Sequence, residues 1–190
     1  MKIALGAAKG LNYLHENNII HRDMRSSNIL VTHDHKPLLG DFGLARTQQG
    51  ELDHSLENRL VGTFGYLAPE YVESGKASTK TDVYSFGVVL LELITGLKSI
   101  DKKLEERSLI AWARPLLKKR KYPDLIDPRI LDSHDFHQLF WMVQVAERCL
   151  RKDPDRRLSM DKSEWPEVQE RLHVHKGINI TLAIPYSYVH

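Results

Sequence analysis

The chain has 190 residues, 42% of them hydrophobic and 27% charged, too apolar for a disordered tail and long enough for one packed domain or a large part of one. Its 27 lysines and arginines against 25 aspartates and glutamates leave a formal charge of +2, which excludes a bulk electrostatic pull toward nucleic acid or anionic lipid. The single cysteine, Cys149, excludes an internal disulfide, fits a reducing compartment and falls in an apolar helical pattern as a buried, inert thiol.

The opening residues are helical in pattern: Ile3, Ala7, Leu11 and Leu14 share one face. Their apolar stretch is too short for a signal peptide, and the absence of a preceding cap suggests a truncated domain. Ile19-Ile20 is a short apolar run, and polar residues 21–28 follow. Residues 29–32 and 37–39 flank His33-Asp34-His35-Lys36 as the arms of a small hairpin. Residues 41–69 form a long polar stretch rich in Gly, Thr and Gln, the length of a functional or disordered loop.

Residues 83–94 are apolar on nearly every face, which predicts a helix buried all round. Ser85 and Glu92 interrupt that run, and it falls short of the ~20 residues of a membrane span. Further helices are expected over 108–119, disturbed by Pro115, along the stripe Phe136, Leu139, Phe140, Val143 and Leu150, and over 165–173. In 178–184, Ile178, Ile180, Leu182 and Ile184 alternate with Asn179, Thr181 and Ala183, as in a half-buried strand. It has no evident partner, and an unpaired apolar edge docks on something or aggregates. The fold class is mainly α with a small β-hairpin.

Three motifs carry chemistry. Residues 21–28 read His21-Arg22-Asp23-Met24-Arg25-Ser26-Ser27-Asn28; Asp41-Phe42-Gly43 follows; Ala68-Pro69-Glu70 closes the long loop. Each triplet alone has a bland reading, an Asp-x-Gly turn or an Asn cap. The ordered set, at these spacings, matches the catalytic loop, metal-binding triplet and activation-segment end of protein kinases.

The chain resembles the C-terminal lobe of plant receptor-like serine/threonine protein kinases of the proline-rich extensin-like type. The residues behind this are 21–28, Gly40-Asp41-Phe42-Gly43-Leu44-Ala45-Arg46, Gly62-Thr63-Phe64-Gly65-Tyr66-Leu67-Ala68-Pro69-Glu70-Tyr71 and Thr81-Asp82-Val83-Tyr84-Ser85-Phe86-Gly87. The resemblance implies a kinase C-lobe over 1–160 and a divergent tail over 161–190. It implies phosphoryl transfer from Mg²⁺-ATP to protein Ser or Thr, a reaction of positioning and charge neutralisation. Asp23 then accepts or orients the substrate hydroxyl proton, and Arg25 stands where related kinases carry a Lys on the transferring phosphate. Asn28 and Asp41 supply hard oxygen ligands to Mg²⁺, and with Arg25 they form the nucleotide contact.

By the same resemblance, His21 and Asp82 form a scaffold pair under the catalytic loop, with an N-cap as the bland alternative for Asp82. Glu70 and Arg157 form the ion pair that pins the activation segment, with a solvated surface pair as theirs. Arg22 meets a phosphate on that segment; Thr47, Ser55 and Thr63 are the candidate acceptors. Thr63 is also expected to hydrogen-bond Asp23. His33-x-His35 and His173-x-His175 lack further ligands at metal spacing, and Asn179-Ile180-Thr181 has a glycosylation pattern without a secretory context.

The family's N-terminal β-lobe carries a Gly-x-Gly-x-x-Gly loop and a Val-Ala-Ile-Lys-like strand, and neither occurs in the 190 residues. The expectation is therefore a C-lobe without its β-lobe, truncated and inactive as this polypeptide alone. The alternative is a non-catalytic, kinase-derived binding module or pseudokinase-like fragment. Expected partners are a protein substrate or regulatory protein and another kinase, with no nucleic acid and no transmembrane segment. The expected location is the cytoplasm, with recruitment to the plasma membrane.

Overall fold

Alanines and leucines at helical spacing build the first element, α1 (Lys2–Glu16), which buries Ala4, Ala7, Ala8, Leu11 and Leu14. Its pattern stops at Asn17-Asn18, where Asn18 takes a left-handed φ of 56°, a conformation that asparagine tolerates better than most residues. The computed structural model describes residues 1–48, 60–105, 107–131 and 136–161. The helix expected over 165–173, the strand over 178–184 and Ser55 lie outside these residues.

Among the described residues four short strands follow: β1 (Ile19–Ile20), β2 (Ile29–Val31), β3 (Pro37–Leu39) and β4 (Arg46–Thr47). β2 and β3 form the expected hairpin, with Ile29 opposite Leu39 and Val31 opposite Pro37. A second antiparallel pair, β1 with β4, sets Ile19 opposite Thr47 and Ile20 opposite Arg46. Two-residue strands are too short for alternation to betray them, so the sequence predicts one sheet where the described residues form two.

The helical body comprises α2 (Pro69–Ser74), α3 (Thr79–Thr95), α4 (Leu109–Lys118), α5 (Tyr122–Leu125), α6 (Pro128–Leu131) and α7 (Phe136–Cys149). α3 is the run foreseen as buried all round. Val83, Phe86, Val88, Val89, Leu90, Leu91 and Ile94 are all shielded from solvent, and α1, α4 and α7 pack around them. Pro115 sits inside α4 without ending it, and Ser108 caps that helix by accepting the Ala111 N–H at 3.3 Å. The α7 stripe is narrower than its apolar residues suggest. Leu139 and Val143 are core, but Phe140 is 37% exposed and stands edge-on to Tyr122 at 5.7 Å.

Gly87 lies at a close approach of α3 to the end of α7. A Cβ at this position would lie 2.8 Å from Cys149 Cβ and 2.9 Å from Leu150 Cγ. The thiol of Cys149 is fully buried, which accords with an inert core role. Gly87→Ala is expected to force α3 and α7 apart and lower stability by about 1–3 kcal/mol, as overpacking does. Urea unfolding checks this; an unchanged midpoint would show that the interface has room to spare.

Candidate active site

The site begins at the first turn of α3. Ser78 precedes that helix, and its N–H donates to Thr81 Oγ1 at 3.2 Å. Asp82 is therefore inside the helix rather than its cap, and it is only 1% exposed. Its carboxylate is aimed backward at the polar loop. Oδ1 accepts the Arg22 N–H at 2.9 Å; Oδ2 accepts the His21 N–H at 2.8 Å and pairs with His15 Nε2 at 3.0 Å. A buried carboxylate is tolerable when donors surround it and a helix N-terminus lies beneath it.

The loop is thus tied down through backbone groups. His21 touches Asp82 with its N–H, while its ring reaches elsewhere. Nδ1 accepts the Asp23 N–H at 3.2 Å, which leaves the ring proton on Nε2 for Gly40 O at 3.1 Å. That second bond holds Gly40-Asp41 beside the loop, and the ring also lies 5.4 Å from Phe42. The imidazole that does meet Asp82 belongs to His15, a residue that the helical pattern of α1 gave no reason to single out. Met24 anchors the loop by full burial.

Asp23 lies at the centre. Thr63 Oγ1 donates to its Oδ1 at 2.5 Å, and Asn28 Nδ2 donates to its Oδ2 at 3.2 Å and to its backbone O at 2.8 Å. Arg25 Nε stands 3.3 Å from Oδ2 but is not aligned as a hydrogen bond, so this contact is Coulombic only. Asn28 spends both amide contacts on Asp23, which leaves its Oδ1 free to accept among the described residues. Asp41, at a left-handed φ of 60°, is exposed. Its backbone neighbour Gly40 donates its N–H to Asn28 O at 2.8 Å. Asn28, in the 3-10 turn before β2, and Asp41, two residues beyond β3, are two hard oxygen donors of the kind that suit a Mg²⁺ ion, which takes few protein carboxylates and keeps several waters. Among the described residues no cluster of three or more His, Cys, Asp or Glu offers another metal site.

Arg22 is strained at φ 68° and leans on Gly62. Gly62 has φ 114°, and a Cβ there would come within 2.7 Å of Arg22 O. Arg22 Nη2 reaches Tyr71 Oη at 3.4 Å, and the same oxygen accepts the Val61 N–H at 3.1 Å. Arg22 Nε is buried with no hydrogen-bond partner among the described residues. Thr47, the other described acceptor candidate, lies exposed in β4.

Farther along, Glu70 at the start of α2 meets Arg157 in a bidentate pair, Nη1 to Oε1 at 2.5 Å and Nη2 to Oε2 at 2.6 Å. The Arg157 side chain is 0% exposed. Its remaining donors go to Arg151 O at 2.7 Å, Lys80 O at 2.9 Å and Lys152 O at 3.2 Å, and Tyr84 stacks below it at 4.9 Å. All five guanidinium donors are used. The solvated-pair reading fails here because burial removes the screening that makes surface pairs weak.

A second polar cluster escaped the sequence reading. Tyr66 Oη donates to Glu92 Oε1 at 2.8 Å, the Ser99 N–H donates to the same oxygen at 2.7 Å, and Ser26 lies 3.4 Å from the Tyr66 hydroxyl. Ser85 Oγ donates to Tyr66 O at 2.8 Å. Burial pushes the Glu92 carboxyl above its ordinary range. Burial, with that carboxylate alongside, pushes the Tyr66 phenol up as well. The signal was present: Ser85 and Glu92 are the two polar interruptions of the apolar run, and both face the Tyr66 segment.

A family profile described as "Protein kinase domain" matches residues 1–165. The chain is 45% identical over 172 residues to Proline-rich receptor-like protein kinase PERK8 of Arabidopsis thaliana, covering 85% of this chain and 25% of that protein. It is 48% identical over 166 residues to Serine/threonine-protein kinase PBL34 of the same plant, covering 84% of this chain and 34% of that protein. Proline-rich receptor-like protein kinase PERK12 gives 47% over 169 residues, 84% of this chain and 23% of its own length. The chain thus spans between about a quarter and about a third of these curated relatives.

Two outcomes are expected from this geometry. Arg157→Ala leaves the partly exposed Glu70 carboxylate and the backbone carbonyls of Lys80, Arg151 and Lys152 without their shared donor and lowers stability by ~1–3 kcal/mol, measurable by chemical unfolding; a loss below ~1 kcal/mol would return the pair to the surface class. Glu92, with its pKa raised in the fold, contributes stability that is whole below its unfolded value of 4.5 and is lost as pH rises through its elevated value. Unfolding free energy should therefore decline upward from about pH 4.5. Glu92→Gln, which cannot ionise, should flatten that slope, and an unaltered slope would show that another group sets it.

Proposed function

The chain belongs to the protein kinase family, and from that premise we propose that, completed by the family's N-terminal β-lobe, it transfers the γ-phosphoryl group of Mg²⁺-ATP to serine or threonine of a protein substrate. In this reading residues 1–160 are the helical C-terminal lobe and 161–190 a divergent tail. The observation that carries the reading is the Asp23 carboxylate, held by Thr63 on one oxygen and by Asn28 and Arg25 on the other.

Asp23 orients a substrate hydroxyl and takes its proton as the oxygen attacks. Oδ1, where Thr63 now donates, is the acceptor open to exchange, and the Thr63 hydroxyl marks where an alcohol oxygen sits. Arg25 lies on the opposite oxygen, with its guanidinium partly exposed, in position to meet phosphate oxygens. Asn28 Oδ1 and the Asp41 carboxylate would hold the metal, and a Mg²⁺ ion there would supply the positive charge that offsets the negative charge of the nucleotide phosphates. Positioning and charge neutralisation dominate this chemistry, so rigid backing of Asp23 matters more than any shifted pKa.

Arg22 gives the site a regulatory input. Its strained backbone and unpartnered Nε suit capture of a phosphate on the segment between Asp41 and Glu70, with Thr47, Ser55 and Thr63 as acceptors. The protein kinase that adds the phosphate is a second expected partner. Among the described residues no helix is long and apolar enough to cross a membrane. We place the chain in the cytoplasm, recruited to the plasma membrane by other means.

The test is a thermal-shift titration of the 190-residue chain with Mg²⁺-ATP. At ~100 times the dissociation constant, ligand should stabilise the fold by ~2.7 kcal/mol. Asp41→Asn should lose that shift and Asp23→Ala should keep it, since Asp23 acts on the substrate hydroxyl. In a chain completed by an N-terminal β-lobe, phosphoryl transfer should fall ~10²–10⁴-fold in Asp23→Ala. A shift that survives Asp41→Asn, or no shift with wild type, would overturn the assignment of the metal ligands.

A further inference from the structure

Away from Asp23, a cavity of about 330 Å³ opens between α3, α4 and α7, at the small end of the ~300–1,000 Å³ range of ligand pockets. Its floor is apolar, from Leu91, Ile110, Leu117 and Leu150, while its polar wall carries Arg114, Lys118, Arg120, Tyr122, Gln144 and one carboxylate, Glu147. We propose that this cavity is a binding site for a phosphate monoester, with Arg114, Lys118 and Arg120 as the anion's partners and the Tyr122 hydroxyl as an oriented donor.

Three observations converge. First, Arg114 and Lys118 stand four residues apart on α4, the spacing that puts like charges on one face and costs a helix a few tenths of a kcal/mol. Neither they nor Arg120 are held in an ion pair among the described residues. Second, Arg120 occupies a position that favours glycine. α4 ends in a Schellman turn, with the Arg120 N–H on Leu117 O at 3.0 Å and the Lys121 N–H on Leu116 O at 2.9 Å. Arg120 is the left-handed residue of that turn, at φ 55°. Third, Gln144 Nε2 donates to Tyr122 Oη at 2.8 Å. The hydroxyl's lone pair is thus engaged by Gln144, and its own proton is free for an acceptor in the cavity.

The negative end of the α4 dipole accounts for cations in its last turn. It accounts neither for Arg114, a full turn earlier, nor for an arginine at a left-handed position where glycine would be cheaper. Two guanidinium forks, an ammonium and a hydroxyl donor match the three oxygens and double charge of a phosphate monoester better than a single carboxylate. The ester can come from a phosphorylated protein side chain or from a small phosphorylated metabolite. This site is independent of phosphoryl transfer at Asp23.

The experiment is calorimetric titration of the 190-residue chain with N-acetyl-phosphoserine amide, alongside thermal unfolding. Wild type should bind saturably. Arg120→Gly should weaken binding about tenfold or more and at the same time raise the unfolding midpoint, because glycine adopts the left-handed turn without strain. Glu147→Gln should tighten binding severalfold by removing the repelling charge, and Lys9→Gln, which removes one positive charge as Arg120→Gly does but at an exposed position of α1, should leave it unaltered. If Arg120→Gly lowers the midpoint, Arg114→Gln is held to the same tenfold criterion. A short phosphoserine peptide that binds more tightly than glucose 6-phosphate assigns the source to a protein, and the reverse order assigns it to a metabolite; either supports the site. No saturable binding by wild type, or equal effects of Arg120→Gly and Lys9→Gln, overturns it.

Discussion

One buried carboxylate organises the polar half of this molecule. Asp82 is carried by the most deeply buried helix, yet its oxygens serve backbone N–H groups of a loop some sixty residues earlier in the chain. Those N–H groups sit at a turn whose left-handed residue, Arg22, costs strain. Removing the carboxylate would leave donors unsatisfied in a region with little water. The constraint therefore runs from the hydrophobic core outward: α3 packs because it is apolar, and its packing fixes the point from which Asp82 holds the loop. His21 then passes the constraint on, through Asp23 to one side and Gly40 to the other, so that the proposed base and the proposed metal ligands share one support.

The segment from Gly62 to Glu70 is secured independently at three depths. Thr63 bonds Asp23, Tyr66 bonds Glu92, and Glu70 bonds Arg157. The last is the firmest, because every donor of the guanidinium is satisfied and none is screened by solvent. The middle one stores tension: Glu92 is pushed toward its neutral form by burial, and one of its oxygens, Oε2, is buried without a partner. A segment held at fixed points by unequal bonds can shift at one without dissolving the others. Phe64 is left exposed between Thr63 and Tyr66.

Much of this was legible from residue order. The three motifs are local, and each needs only a few neighbouring residues to state its chemistry, so Asp23, Asn28 and Asp41 stood out before any fold was known. The buried helix was equally plain, since a twelve-residue run whose only polar interruptions are Ser85 and Glu92 admits no solvent face. Interactions across the chain were less legible. His15 looked like any polar residue on an amphipathic helix, because its role depends on Asp82 lying across from it. Glu92 was visible as an interruption and mute as to its partner. The β1–β4 pair joins two-residue strands, for which periodicity carries no information.

What the sequence determined by itself was chemistry and class: a mainly helical, packed chain with an ordered kinase motif set, and the residues able to bind metal, phosphate and a hydroxyl proton. These follow from residue type and spacing, which are properties of the chain before it folds. Only the tertiary structure decided which groups meet: Asp82 under backbone amides rather than under an imidazole of His21, Arg157 sealed from solvent, and three cations gathered at one cavity between α3, α4 and α7. The physical reason is that burial and pairing are set by distances across the core, and a carboxylate's worth changes several-fold between water and an interior where its only partners are those the fold supplies.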